Sequence, residues 1–339
     1  MVRQIRYCQV AEILKEHGIQ GAQIAFTRNG ETEFQHHGIA SAATNVPVTS
    51  STIFEAASLT KVVGAYTVLR LMERGVLALD APLSMYVDSP RLAEDSPGRR
   101  VTARMVLNHT TGFPDWAISP SSPALDTTPL TTSFEPGTKW SYSGEGFYFL
   151  QKAIEAILDR PFSEVLSEEV FEPFEMHSSS LVTRPESDTV TAVGHQADGT
   201  ALPASNYTNA NVAYTLLTTA QDYSTFIQRA LLDGEGLTTA SHNLMFTASG
   251  SANREAHPSS ADPYVQWGLG IGIQYNEKGT AVWHWGDNGA FKAFFIAFPD
   301  RAESVVVFTN NQNGLLSFEQ IMKTFLGEQT FHSIRWVLS

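Results

Sequence analysis

Apolar positions recur along this chain in two rhythms, and the change from one to the other marks its elements. From Arg3 to His17, Ile5, Cys8, Ile13 and Leu14 return at roughly helical spacing, which predicts an opening helix with Cys8 as a buried packing thiol. Gly21 to Arg28 and Glu31 to Gly38 flank Asn29-Gly30, a dipeptide suited to the two positive-φ positions of a tight hairpin turn, so two paired strands follow. From Ser58 to Arg74 the residues Val62, Val63, Tyr66, Leu69 and Met72 keep a 3.6-residue rhythm, and Gly75 stands where a helix is expected to stop. That predicts a buried helix with Ser58 at its start.

Helical patterns recur in Thr102 to Asn108, Phe147 to Leu158 and Ala220 to Leu232, between loops rich in Ser, Thr and Pro such as Ser119 to Thr132. Strand character returns in Trp267 to Tyr275, Ala281 to Trp285, Ala290 to Ala297 and Glu303 to Thr309, before an apolar helix from Ser317 to Leu326. Strands at both ends with helices between them predict an α+β fold. Its antiparallel sheet is built from residues 1–80 and 251–339 and flanked by terminal helices, and residues 81–250 make a mainly helical lobe.

Composition narrows the partners. A chain of 339 residues with 42% hydrophobic content can bury a large core. Its 35 acidic against 22 basic side chains, a net charge of −13, repel phosphate backbones and anionic lipid, so neither nucleic acid nor a membrane surface is an expected partner. Cys8 is the one cysteine and cannot form an internal disulfide. No run approaches the roughly 18 apolar residues that span a bilayer, and the amino terminus lacks the pattern of a secretory signal, which makes a cytosolic protein the expectation.

Three stretches could carry chemistry. Ser58-Leu59-Thr60-Lys61 places a hydroxyl and an amine three positions apart at a helix start, on one face and within reach of each other. Serine is a weak nucleophile until a neighbour takes its proton, and lysine can do so only where burial or the helix dipole lowers its pKa. The pattern alone arises by chance about once in a chain of this length, so its context decides: Phe54-Glu55-Ala56-Ala57 runs into a long apolar helix that points the lysine inward. Tyr142, in Lys139-Trp140-Ser141-Tyr142-Ser143-Gly144, precedes a helical stretch and can present its phenol to a cleft, where an ammonium nearby would favour phenolate. His284-Trp285-Gly286, followed by Asp287-Asn288-Gly289, lies between two strands; a glycine there lets a substrate lie alongside, and the N–H just beyond can point into the cleft. Taken singly, each has an ordinary structural alternative: a surface lysine, a core tyrosine, a plain hairpin.

Order and spacing bind the three together. With Val101-Thr102, Leu107 to Phe113 and Glu135 to Tyr142, they make the chain resemble, over nearly its whole length, the serine β-lactamase-like superfamily. The resemblance is to the branch that holds class C β-lactamases, family VIII carboxylesterases and D-amino-acid-specific peptidases and amidases. It implies two lobes with the active site at their junction, Ser58 as acyl-accepting nucleophile, Lys61 as base and Tyr142 as proton shuttle. It also implies an oxyanion hole from the N–H groups of Ser58 and Asp287, and makes His109 to Gly112 a supporting loop. His284 stands where many relatives carry the lysine of Lys-Thr-Gly, and Gly144 where β-lactamases carry an asparagine that orients the amide of a lactam side chain. Both departures favour a small carboxylic ester as substrate, because histidine is mostly neutral at pH 7. A β-lactam or D-peptide amide, and a non-catalytic binder of the same fold, are the alternatives. Phe113, Trp116, Trp283, Trp285 and Phe291 would give an apolar pocket. His36 and His37 alternate on a strand and face opposite ways, and His17, His177, His195, His242, His257 and His332 have no motif around them. No metal and no cofactor is inferred.

Overall fold

The computed structural model describes residues 2–184, 191–254 and 258–339; His257 lies outside them. In chain order the elements are α1 (Val2–Glu16), β1 (Gly21–Arg28), β2 (Glu31–Ser41), β3 (Val46–Pro47), β4 (Phe54–Ala57), α2 (Thr60–Glu73), α3 (Ala103–Leu107) and α4 (Gly144–Leu158). Then come α5 (Phe162–Leu166), β5 (Leu216–Thr218), α6 (Ala220–Phe226), α7 (Thr239–Phe246), β6 (Gly250–Ser251), β7 (Val265–Trp267) and β8 (Gly272–Asn276). The chain ends with β9 (Gly279–Asp287), β10 (Lys292–Phe298), β11 (Glu303–Thr309), α8 (Gly314–Leu326) and α9 (His332–Leu338). Among the described residues, nine strands form one antiparallel sheet in the order β3-β2-β1-β11-β10-β9-β8-β7-β6, while β4 and β5 pair separately.

The central strands are buried on both faces, which is why they read as nearly unbroken apolar runs. Ala22, Ile24, Phe26, Phe294, Ile296, Val305 and Val307 face one core, shared with α1, α8 and α9. Ala25, Ala293, Phe295, Val306 and Phe308 face the other, which continues into α2, α4 and α6. The period-two alternation of side chains lets one strand serve both cores, and each buried Phe or Val contributes about 1.5–3 kcal/mol. The hairpin after β1 turns as expected, with φ of 52° at Asn29 and 79° at Gly30.

Four expectations are corrected. Cys8 is exposed, its Sγ 3.8 Å from Gln4 Nε2, because α1 docks through Val10 and Leu14 and leaves the Ile5–Cys8 side in solvent. Trp267 to Tyr275 is a hairpin, not one strand: Gly270, at φ +75°, turns the chain where a Cβ would lie 2.2 Å from Ala65 Cβ, and Gly268 N donates to Ile271 O at 2.9 Å. Helix α2 begins at Thr60, so Ser58 sits in the turn before it. Phe113, Trp283 and Phe291 are core residues at 0–4% exposure, which leaves Trp116 and Trp285 as the half-buried aromatics of that set. No described helix is long and apolar enough to cross a membrane.

Candidate active site

Strand β4 ends in a sharp turn. Ala57 adopts φ +49°, a left-handed conformation costly for a residue with a Cβ. Three contacts hold it there. Leu59 N donates to Ala56 O at 3.1 Å, and Thr60 Oγ1 donates to Ala57 O at 2.5 Å while accepting Leu216 N of β5 at 3.0 Å. This strapping swings Ser58 out of the strand and aims α2 inward. Among the described residues the Ser58 N–H has no acceptor.

Lys61, in the first turn of α2, is 1% exposed. Its Nζ lies 3.1 Å from Ser58 Oγ and 2.8 Å from Ala213 O, and 4.8 Å from the centre of the Tyr142 ring. Burial drives its pKa down to about 8, with the Asp115 carboxylate pulling the other way. An amine with that pKa has a usable free-base fraction at neutral pH.

Tyr142 comes just before Ser143, which caps α4 by accepting Gly146 N at 3.0 Å. Its hydroxyl is buried and forms no well-aligned hydrogen bond, yet lies close enough to Ser58 for that side chain to lower the phenol pKa. Burial outweighs this and, with Asp115, holds the phenol well above 10. The expectation that a nearby ammonium would favour phenolate is therefore overturned. Tyr142 is a neutral O–H, suited to hand a proton on rather than to abstract one.

His284, on β9, is fully buried. Its Nδ1 lies 2.7 Å from Trp285 O, and its Nε2 has no partner. Burial, then the Lys61 charge, lowers its pKa to about 3, so it offers no cation to a ligand carboxylate. The ring of Trp285 stacks 5.2 Å from that of His284 and lies 4.8 Å from that of Tyr142. Gly286 has a different use from the one expected of it. A Cβ there would fall 2.4 Å from Ala56 O, so the missing side chain admits β4 rather than a substrate, and brings Asp287 alongside the Ser58 turn. The Asp287 carboxylate is exposed, ion-paired with Lys292, and accepts Gly289 N at 2.8 Å.

Three contacts could not be read in the sequence. Asp115, an unremarkable loop aspartate, accepts Gly144 N at 2.8 Å and acts electrostatically on both Lys61 and Tyr142. Trp116 covers Gly144 so closely that a Cβ there would be 2.5 Å from the indole Cζ2. Glu55, 3% exposed, accepts Tyr207 Oη at 2.5 Å and Asn288 Nδ2 at 2.7 Å, tying β4 to the segments carrying Ala213 and Asp287. A cavity of about 780 Å³ begins at Asn211 and Tyr214, beside Ala213, but does not include Ser58, and so is a side chamber. Among the described residues no cluster of three or more His, Cys, Asp or Glu is placed to hold a metal ion.

Against known proteins, a family profile described as Beta-lactamase matches residues 9–322. Esterase EstB of Burkholderia gladioli is 29% identical over 196 residues, which cover 51% of this chain and only 50% of that esterase. Penicillin-binding protein 4 of Amycolatopsis lactamdurans is 23% identical over 335 residues, 92% of this chain and 86% of that protein. The fold superposes on a class C beta-lactamase with a TM-score of 0.78 at 18% identity, covering 95% of this chain and 96% of the other.

Proposed function

The chain belongs to the Beta-lactamase family of serine hydrolases, and from that premise we propose that it is a carboxylesterase forming an acyl-enzyme at Ser58. The carrying observation is the 3.1 Å contact between Ser58 Oγ and the Nζ of a fully buried lysine whose pKa has fallen to about 8.

Neutral Lys61 takes the Ser58 proton as Oγ attacks the ester carbonyl, and the oxyanion is held by the N–H groups of Ser58 and Asp287. When the tetrahedral intermediate collapses, the C–O bond to the alcohol breaks. The departing alkoxide takes a proton from the Tyr142 hydroxyl, which Lys61 replenishes. Water then attacks the acyl-Ser58 carbonyl, giving a proton to Lys61; the C–Oγ bond breaks, the carboxylic acid leaves, and Lys61 returns the proton to Ser58 Oγ.

Ester is favoured over amide by two features. Trp116 covers the Gly144 position, leaving no room for a side chain that could orient an amide, and His284 is neutral. Similarity to a penicillin-binding protein keeps amide hydrolysis, of a lactam or a D-residue peptide, as the second reading.

The test is turnover of p-nitrophenyl butyrate, nitrocefin and a D-alanyl p-nitroanilide side by side, with intact-protein mass after a fluorophosphonate probe. Ester preference, with the added mass on Ser58, is expected. Full ester turnover by Ser58→Ala, or labelling elsewhere, ends the proposal; faster turnover of either amide moves it to the second reading. Ligand capture in the cleft with no adduct from any compound would make the chain a non-catalytic binder.

A further inference from the structure

Two bonds from His109 grip the chain on both sides of Tyr142. His109 lies just after α3, is fully buried, and adopts φ +57°. Its carbonyl accepts Ser141 N at 2.8 Å, and its ring Nδ1 accepts Ser143 N at 3.1 Å. Between those two bonds the Tyr142 ring lies against the imidazole, centroids 4.4 Å apart at 32°. The left-handed backbone at residue 109 lets one histidine turn its carbonyl and its ring toward the same passing segment.

We propose that His109 is a positioning residue that sets where the Tyr142 hydroxyl stands relative to Ser58 and Lys61. Tyr142 Oη forms no well-aligned hydrogen bond, only a loose approach to Ser58, so its place depends mainly on backbone anchors and ring contacts. Of these, His109 supplies two backbone anchors and a ring face. Because Nδ1 accepts an N–H, the ring proton resides on Nε2, which is buried and without a partner among the rings of Trp140, Phe147 and Trp267. Burial, with Lys61 and His284 nearby, keeps the imidazole neutral and the acceptor available. An apolar residue of the same shape would fill the core equally well but would leave Ser143 N without its acceptor.

This inference rests on the proposed role of Ser58, Lys61 and Tyr142. Its test compares His109→Phe, which keeps an aromatic ring but no acceptor, with His109→Asn, whose amide oxygen falls near Nδ1 and whose backbone tolerates positive φ. His109→Phe is expected to lower kcat, and the rate of Ser58 phosphonylation, by at least about tenfold with KM within about twofold, since small misplacements of catalytic groups are costly. His109→Asn is expected to restore most of the rate. In a Tyr142→Phe background the His109→Phe loss should largely vanish, because the residue acts through the phenol. Should His109→Phe not fold, His109→Gln, whose longer amide passes Ser143 N, takes its place with the same expectation.

Unchanged kcat in a folded His109→Phe or His109→Gln overturns the inference. So does an equal loss with and without the Tyr142 hydroxyl, which would make the role purely structural. Wild-type protein that hydrolyses no ester and takes no phosphonyl group would instead defeat the parent reading.

Discussion

The sharpest consequence of the site is a pH profile governed by Lys61. Burial moves this amine from 10.5 to about 8. At pH 7 a free lysine is neutral in about one molecule in 3,000, whereas a lysine with a pKa of about 8 is neutral in about one in ten, a gain of about 300-fold in competent base. If neutral Lys61 accepts the Ser58 proton, kcat/KM should rise about tenfold per pH unit below the midpoint and level off above it. Neither histidine of the cluster should add an inflection on the acid side, because burial holds His284 at about 3 and His109 well below 6.5. Tyr142, well above 10, contributes nothing in the working range. The assay is initial-rate hydrolysis of p-nitrophenyl butyrate at constant ionic strength between about pH 5.5 and 9.5, corrected for spontaneous hydrolysis. A midpoint near the ordinary histidine value, or a flat profile, would refute the reasoning.

Two further outcomes follow from the same contacts. Lys61 has a lower pKa folded than unfolded, so the native state binds fewer protons between about pH 8 and 10.5: its destabilisation is fully present below 8 and is relieved as pH rises through that window. Lys61→Met therefore removes a penalty of about 3 kcal/mol at pH 7 and gives back about 1–3 kcal/mol through the unpaired Ala213 carbonyl. Turnover should disappear with stability unchanged or higher; urea melts at pH 7 and pH 10 would show the advantage shrinking at high pH, and a large loss at pH 7 would count against the buried-charge account. Gly144→Ala forces a Cβ into the Trp116 indole and should cost about 1–3 kcal/mol. Thermal melts should show much of that loss recovered by adding Trp116→Ala, and no recovery would mean the clash lies elsewhere.

Local pattern alone was enough for several elements. Asn29-Gly30 with its flanking runs marked β1, its turn and the start of β2, and the apolar runs before and after residue 300 marked β10, β11 and α8. Four ordered motifs carried the family. These are short-range properties: backbone conformation and side-chain period act over a few residues, so they can be read in line.

Packing decided the rest. Trp267 to Tyr275 looks continuous until Ala65 of α2 closes on Gly270, and Cys8 has helical spacing yet faces solvent because α1 docks on Val10 and Leu14. The same holds for the chemistry. Ser58 and Lys61 are neighbours in sequence, but the burial that lowers the lysine pKa is supplied by the Ala213 segment and the rings of Tyr142 and Phe147. Asp115 and His109 acquire their influence only because loops distant in the chain converge on Tyr142. Residue types and their order are written in the chain, whereas desolvation and distance belong to atoms brought together from far apart, and only the folded arrangement sets them.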